Sequence, residues 1–504
     1  MLLTERYRDQ IRGVLHCFDR LIITGTLVDF GHPHAATRYL YQHHCRIFDF
    51  PAFAKPLRDE IRATAEALAA REGVTIEYVR TAKVRKEARI KEVLAQRGTR
   101  PGLVPILSAM EACPTFEPWH DKTTGRTYLR HDSGKCLHYY FYFIDPLLGL
   151  CHLRVPTWAP YRLQFYCNGH AWLAGELRRH HIAHTLADNV FLDIADFARA
   201  QQLADTFSVK RLHRRLDAWA RQCCPVLDRF PGGYHWSLQQ IEYATDIVFR
   251  RRAALAPLYE TLVRTAVHAV KAEHVGTFLG RPLHPLYQGE VGTDFHTRIH
   301  GTRIKHHMGW ASLKMYDKLG LVLRIETTTN DVSFFKHHRP VEHRDGSTTS
   351  QVASVKKTIY SLPPLRGLLQ AANRRDLDFI STFEDISTGT GSLDRLARPA
   401  TDQHRTYRGF NLLDSHDLPL FLALCHGEFN ISGFQNRQLR PLLPGYTPAQ
   451  LGRLLKRLRV HGLIKKIGRT YKYYLTRLGK RTIVAALTLR EFLIRPALAH
   501  PMPA

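Results

Sequence analysis

The sequence predicts a multi-domain α+β protein with mixed and antiparallel sheets, helical insertions and a C-terminal winged helix-turn-helix. Three observations lead there. Aromatic and β-branched runs recur between short Gly-containing turns, at 137–167 and again at 296–328. Stretches of helical periodicity separate and follow them, at 195–278 and 363–383. A chain of 504 residues that is 44% hydrophobic is long enough for three or more cored domains and too apolar to be disordered throughout.

The pattern divides the chain into six regions: an N-terminal α+β region (1–135), a β-hairpin and sheet region (136–194), a helical region (195–290), a central basic sheet and helix (291–386), a linker (387–413) and the winged helix-turn-helix (414–504). Residues 14–27 contain the strand-like run Leu21-Ile22-Ile23-Thr24. Residues 56–72 set Ile61, Ala65, Leu68 and Ala69 on one helical face, and 84–96 read as a basic helix. The polar, Gly-containing stretch 118–135 reads as a loop. Residues 137–145 and 150–156 form a hairpin around Pro146-Leu147-Leu148-Gly149. A third strand at 161–167 closes on Asn168-Gly169, and a helix follows at 170–180. Helices are expected near 195–203, 208–222, 236–254 and 256–277. Three strand-like runs come next, at 296–306, 312–318 and 321–328, then a helix at 363–383 and a Gly/Ser/Thr-rich linker at 387–392.

The C-terminal region carries the clearest local signals. Between Thr447 and Lys480 there are ten Lys or Arg and no Asp or Glu. Thr447-Pro448-Ala449-Gln450 places Thr at the N-cap, Pro at the first helical position and Gln at N3, which makes a capping box. Leu451, Leu454, Leu455 and Leu458 form the buried stripe, and His461-Gly462 ends the helix. Strands at 463–467 and 471–475 close on Gly468-Arg469-Thr470, and helices at 417–426 and 431–443 precede them. A basic helix followed by a basic-tipped hairpin suits a duplex, with the helix in the major groove and the wing on phosphate. Arg453, Lys456, Arg457, Arg459, Lys465, Lys466, Arg469 and Lys472 are the expected contacts. The segment resembles the MarR-type winged-helix domain, most clearly over 447–480. Domains of that type often dimerise through flanking helices. The apolar stretch 483–494 suits a homodimer of that kind or packing on the body. The whole chain also resembles long, uncharacterised bacterial proteins with a MarR-like C-terminal region, a likeness that supplies no mechanism.

Composition points to a polyanionic partner. The chain has 72 Lys+Arg against 45 Asp+Glu, a formal charge of +27, which favours and steers association with nucleic acid. The nine Cys are scattered without a CxxC pair, so they read as reduced thiols in a cytoplasmic protein. Met1-Leu2-Leu3-Thr4-Glu5-Arg6 does not read as a signal peptide, and no apolar run reaches membrane-spanning length, so no membrane role is expected. There is no Walker loop, dinucleotide fingerprint or Gly-x-Ser-x-Gly motif.

The densest set of reactive side chains lies in Arg303-Ile304-Lys305-His306, Lys314-Met315-Tyr316-Asp317-Lys318 and Arg324-Ile325-Glu326. If these runs pair as a meander, alternation puts Leu313, Met315, Leu323 and Ile325 on a buried face. Arg303, Lys305, Lys314, Tyr316, Lys318, Arg324 and Glu326 then share the other. Cations around one Tyr and one Glu suit phosphate binding. With a divalent metal at Glu326, Mg or Mn, they also suit phosphodiester cleavage. The Tyr-Asp-Lys followed by Arg-Ile-Glu is similar to a pattern in rolling-circle replication initiators and related nicking enzymes. The resemblance covers about residues 296–330. It implies Tyr316 as the nucleophile, Lys314 or Lys318 as electrostatic stabiliser, Glu326 as metal ligand, and His306 or His307 as ligand or base. Those enzymes carry two His flanking one apolar residue on a strand, whereas His32-Pro33-His34 lies in a Gly/Pro turn.

Weaker candidates have plain structural readings. His180 and His184 are four apart, but Arg178-Arg179 precede them and a basic helix end accounts for them. Glu242 and Asp246, four apart on an expected helix, can share a metal with Glu326 or Asp19, or can simply pair with Arg250, Arg251 and Arg252. The aromatic run 137–143 suits a strand buried on both sides better than a base-stacking surface. The leading expectation is a nucleic-acid-binding protein of mobile-element or replication type. Its winged helix holds a duplex or structured end, and its α+β body holds a strand and nicks it. The alternatives are a non-catalytic transcriptional regulator and a scaffold for structured RNA.

Overall fold

Long antiparallel pairing organises the larger part of the chain. The computed structural model describes residues 2–80, 86–281, 283–284, 286–298, 301–384, 396–411, 414, 416–424, 429, 433–468 and 470–489. They fall into two units, Met1–Glu384 and Asp385–Ala504. No helix of the described residues is long and apolar enough to cross a membrane.

Besides a separate hairpin, Lys336–Glu342 with Thr348–Ser354, the strands of the first unit run as β1 (Ile11–Leu27), β2 (Ile76–Tyr78), β3 (Gly102–Asp121), β4 (Arg126–Asp145), β5 (Gly149–Pro156) and β6 (Leu163–Asn168). They continue as β7 (His184–Ala187), β8 (Val190–Ile194), β9 (Tyr234–Phe249), β10 (Val291–Arg298), β11 (Gly301–Met308), β12 (Ala311–Lys318) and β13 (Val322–Thr329). Eleven of them form one sheet in the order β10-β11-β12-β13-β9-β1-β6-β5-β4-β3-β2. Its pairs are antiparallel except β2 with β3. The fold is thus α+β, and the divisions expected at 136, 195 and 291 fall inside a single sheet.

Three expected elements differ. The helix expected at 236–254 is strand β9, paired with β1 on one side and β13 on the other. A central strand covered on both faces loses its period-2 pattern, and its run of buried residues then reads as a helix. The loop expected at 118–135 is the far end of the β3–β4 ribbon, which turns at 122–125. That end is polar because a two-stranded extension meets solvent, and the Arg130 guanidinium lies 3.6 Å over the Trp119 ring. The single strand expected at 296–306 is instead the β10–β11 hairpin. The helix Gly169–Arg179 ends at His180, and His181 takes φ 55°, so His180 and His184 share no helix face.

In the second unit the helix Pro448–Val460 begins as the sequence predicts, with the Thr447 side chain accepting from the Gln450 N–H. The strands Ile464–Lys466 and Tyr473–Leu475 pair behind it, and the helix Arg477–Leu489 follows. Short helices, Leu418–Leu424 and Asn436–Leu439, precede it. Ile483 is fully buried in this unit's own core. The linker at 387–392, residue Arg469, parts of the helices expected at 417–426 and 431–443, and 490–494 of the apolar stretch lie outside the described residues.

Arg457 departs from its expected place on the nucleic-acid face. It is buried, donates to both Asp417 oxygens at 2.8 and 3.0 Å, and its guanidinium lies 3.7 Å over the Phe410 ring. The physical reason is helical phase, since Arg457 adjoins Leu458 on the inward side. Arg457→Ala leaves the buried Asp417 carboxylate without its guanidinium and should destabilise the second unit by about 3–5 kcal/mol. All six Trp lie in the first unit. Urea unfolding of the variant should therefore show an early circular-dichroism transition while Trp fluorescence keeps its midpoint. An unchanged circular-dichroism profile would remove this role for Arg457.

Candidate functional site

The β11–β12–β13 meander forms with Lys305 opposite Lys314, Lys314 opposite Glu326, and Tyr316 opposite Arg324. Residues paired across antiparallel strands share a face, so the expected reactive face exists. It is not a solvated face, because every residue of β13 is buried. Strand β9 continues it, with Arg324 opposite Asp246 and Glu326 opposite Ala244. Glu242 and Asp246 therefore sit on this face from a strand, where even spacing does what helical spacing was expected to do.

A bulge in β1 completes the cluster. Phe18 pairs with Tyr243 and Leu21 with Ile241, so Asp19 and Arg20 together oppose the single residue Glu242. Two residues against one turn both side chains toward the same neighbour. Arg20 Nε lies 3.5 Å from Glu242 Oε2, and carboxylate oxygens of Asp19, Glu242 and Glu326 lie within 4.8 Å of one another.

Two further segments close over Asp19. The helix Gly169–Arg179 starts where Asn168 accepts from Ala171 N–H, and Asn168 Nδ2 donates to Asp19 at 2.9 Å. A Cβ at position 169 would stand 2.1 Å from the Phe18 carbonyl oxygen, so this approach needs glycine. His170 then lies 3.2 Å from both Asp19 and Asp246. The β7–β8 turn inserts Asn189, which donates to Asp19 at 2.7 and 2.8 Å.

Arg324 is the hub. Its side chain is fully buried and grips Asp246 with two 2.6 Å bonds, reaches Asp19 at 3.2 Å and donates to the Asn189 carbonyl at 2.7 Å. Lys314 bridges Glu326 at 2.8 Å and Glu242 at 3.1 Å, and the Tyr316 hydroxyl donates to Glu326 at 2.8 Å. Lys318 donates to the Asn189 side-chain oxygen.

These contacts set the charge states. Burial opposes ionisation of Asp19 and Asp246, but Arg324 and His170 outweigh it, holding Asp19 far below the carboxylate range and Asp246 at about 2. Burial and then Glu326 push the Glu242 carboxyl up. Burial, reinforced by Glu326, raises the Tyr316 phenol well above its usual value and keeps it protonated. Burial and then the Arg324 charge bring Lys318 down to about 8.

Other expected residues lie elsewhere. His306 pairs with Leu313, which pairs with Thr327, so it lies on the opposite face from Glu326, with its Nδ1 2.9 Å from Thr293. It is corrected from metal ligand to core residue by strand alternation, and burial takes its imidazole down to about 4. Arg303 and Lys305 keep the reactive face at the β11 position, half-buried. In the second unit Arg453, Arg459 and Lys465 are exposed, Lys466 and Lys472 are half-buried, and Lys456 pairs with Asp402. The aromatic run is covered on both faces, with Tyr140 and Tyr142 under the helix Lys86–Arg97 and Phe141 and Phe143 in the main core.

No family model matches this chain, and no curated protein matches it. The site therefore rests on its own geometry. Sequence reasoning missed Arg20, His170 and Asn189. Asn168-Gly169 was visible only as a strand end, and nothing in sequence joined it to Asp19.

The low proton affinity of Lys318 carries a stability signature. Between pH 8 and 10.5 the unfolded chain holds a proton on Lys318 that the folded chain has released, so stability rises with pH through this window. Below it a constant penalty on the order of 3 kcal/mol remains. Lys318→Met should be more stable than the wild type at pH 7, and the difference should shrink by pH 10 in denaturant titrations. A pH-independent difference would show that the amine is not desolvated.

Proposed function

We propose that the protein binds nucleic acid and cuts one strand at Asp19, Glu242 and Glu326 with a divalent cation, magnesium or manganese. The observation that carries this reading is the convergence of these carboxylates from β1, β13 and β9 within 4.8 Å, beside Lys314 and Arg20. Burying carboxylates costs several kcal/mol each, and aliphatic packing would hold the same strands together without that cost. Such expense concentrates at functional sites. Three oxygen donors suit a hard cation, and the raised Glu242 carboxyl marks a negative site that a second cation would relieve.

Such a cation, when bound, polarises the phosphodiester and lowers the pKa of water. The chain's own groups do the rest. Lys314 bridges Glu242 and Glu326, offsets one of their two charges, and is the cation that would meet a phosphate oxygen brought to them. Arg20, with 46% of its side chain exposed, is the cationic side chain at the solvent edge. Tyr316 orients Glu326 as a donor, and its protonated, buried phenol argues against attack by this residue. Duplex binding belongs to the winged helix-turn-helix of the second unit, through Arg453, Arg459, Lys465 and the hairpin tip.

A second reading has one observation in its favour. Asp19, Asp246, Glu242 and Glu326 meet Arg324, Lys314 and Arg20, and Lys318 joins them through Asn189, so four cationic side chains stand against four carboxylates without a metal. A balanced network supports a non-catalytic regulator or a structured-RNA scaffold.

Cleavage of labelled DNA and RNA with manganese separates the two. Glu242→Gln with Glu326→Gln should abolish cleavage and calorimetric Mn binding while duplex affinity stays. Absence of both Mn binding and cleavage in the wild type leaves the second reading. For either, six or more phosphate contacts should cost about a thousandfold in affinity between 50 and 200 mM salt. A flat salt response would falsify nucleic-acid binding altogether.

A further inference from the structure

The carboxylate face continues past Arg20 into an open groove of about 570 Å³. Ser237, Thr24, Gln164 and Arg154 line it in one row across β9, β1, β6 and β5, because they pair in register. Arg20 and Thr24 lie four residues apart on β1 and face the same way, so the row starts about 13 Å from the carboxylates. The groove and the carboxylate cluster are thus two stations on one sheet face.

The groove's chemistry is specific. Gln239 Oε1 accepts from Thr24 Oγ1 at 2.9 Å and from Gln164 Nε2 at 2.9 Å. Among the described residues its amide NH2 has no hydrogen-bond partner, and the Gln164 amide that donates to Gln239 carries a carbonyl oxygen as an acceptor. Adjacent donor and acceptor match the edge of an unpaired base. Trp158, half-buried between Pro156 and Pro160, supplies an apolar wall for a base face. Arg162 is exposed at the rim. Lys357 is paired with Asp331 at 2.9 Å, and Arg154 is held by Glu111 at 2.8 Å, so among the described Lys and Arg that line the groove Arg162 is left to meet a phosphate.

We propose that this groove binds an unpaired stretch of the strand whose phosphodiester reaches the carboxylate cluster, which makes single-stranded or frayed nucleic acid the substrate class. The proposal rests on the nucleic-acid reading above. A duplex is disfavoured, because its base edges are already paired and the groove has the volume of a small-ligand site.

The test is fluorescence anisotropy of the full chain in EDTA, where no cleavage occurs, with a short labelled oligothymidylate and a labelled duplex. Gln239→Ala with Arg162→Ala changes a rim amide and a rim cation, both exposed, and circular dichroism verifies the fold. The double variant should bind oligothymidylate about tenfold or more weakly and the duplex as the wild type does. Unchanged oligothymidylate affinity would overturn the groove and leave nucleic-acid binding standing. A wild type that binds neither probe would overturn the underlying reading and the groove with it. If thymidine monophosphate displaces the probe at concentrations comparable to unlabelled oligothymidylate, the ligand is a free nucleotide and the strand assignment is wrong.

Discussion

A guanidinium without access to water sets the terms for the first unit. Arg324 carries a full charge in the middle of an eleven-stranded sheet, and only acceptors fixed around it make that position tolerable. Asp246 on the neighbouring strand, Asp19 on the strand beyond and the Asn189 carbonyl in the β7–β8 turn supply them. Each is useful only in register. A one-residue slip of β13 against β9 would turn Arg324 to the other face and leave the carboxylates unpaired. The network therefore selects one pairing among long strands that apolar burial alone would hold less specifically.

The same constraint explains the local irregularities. Paired extended strands present alternate residues, and two consecutive residues cannot both aim at one neighbour unless the strand bulges. Asp19 and Arg20 do so opposite Glu242. The bulge also shifts the parity of β1, so Phe18 and Leu21, three positions apart, lie on one face and that side of the core continues into Ile23. Gly169 lets the next helix start against the bulged backbone, and His170 and Asn168 arrive at Asp19 from its first turn. The helix N-terminus adds its partial positive charge where the carboxylate is held ionised.

One residue type plays opposite parts in the second unit. Arg453 and Arg459 point to solvent, whereas Arg457, between them in sequence, lies over Phe410 and clamps Asp417. A carboxylate-free basic run is thus not uniformly exposed. Part of its charge is spent on holding the helix to its own unit, with Lys456 and Asp402 as a second tie.

What the sequence determined by itself was local. The Thr447 cap, the Leu stripe, the basic hairpin and the alternation along 312–328 depend on residues a few positions apart, and capping geometry and strand periodicity act at that range. The shared face of Lys314, Tyr316, Arg324 and Glu326 was legible for that reason. The central strand β9 was not, because burial on both faces erases the period that marks a strand. His306 was misplaced because the resemblance supplied it as a ligand, whereas alternation along the strand turns it away from the face that Lys305 takes. Only the tertiary structure decided that Asp19, Glu242 and Glu326 meet. They come from strands distant in sequence, and their convergence depends on a bulge and on the charge of a buried arginine, neither of which leaves a periodic trace in the chain.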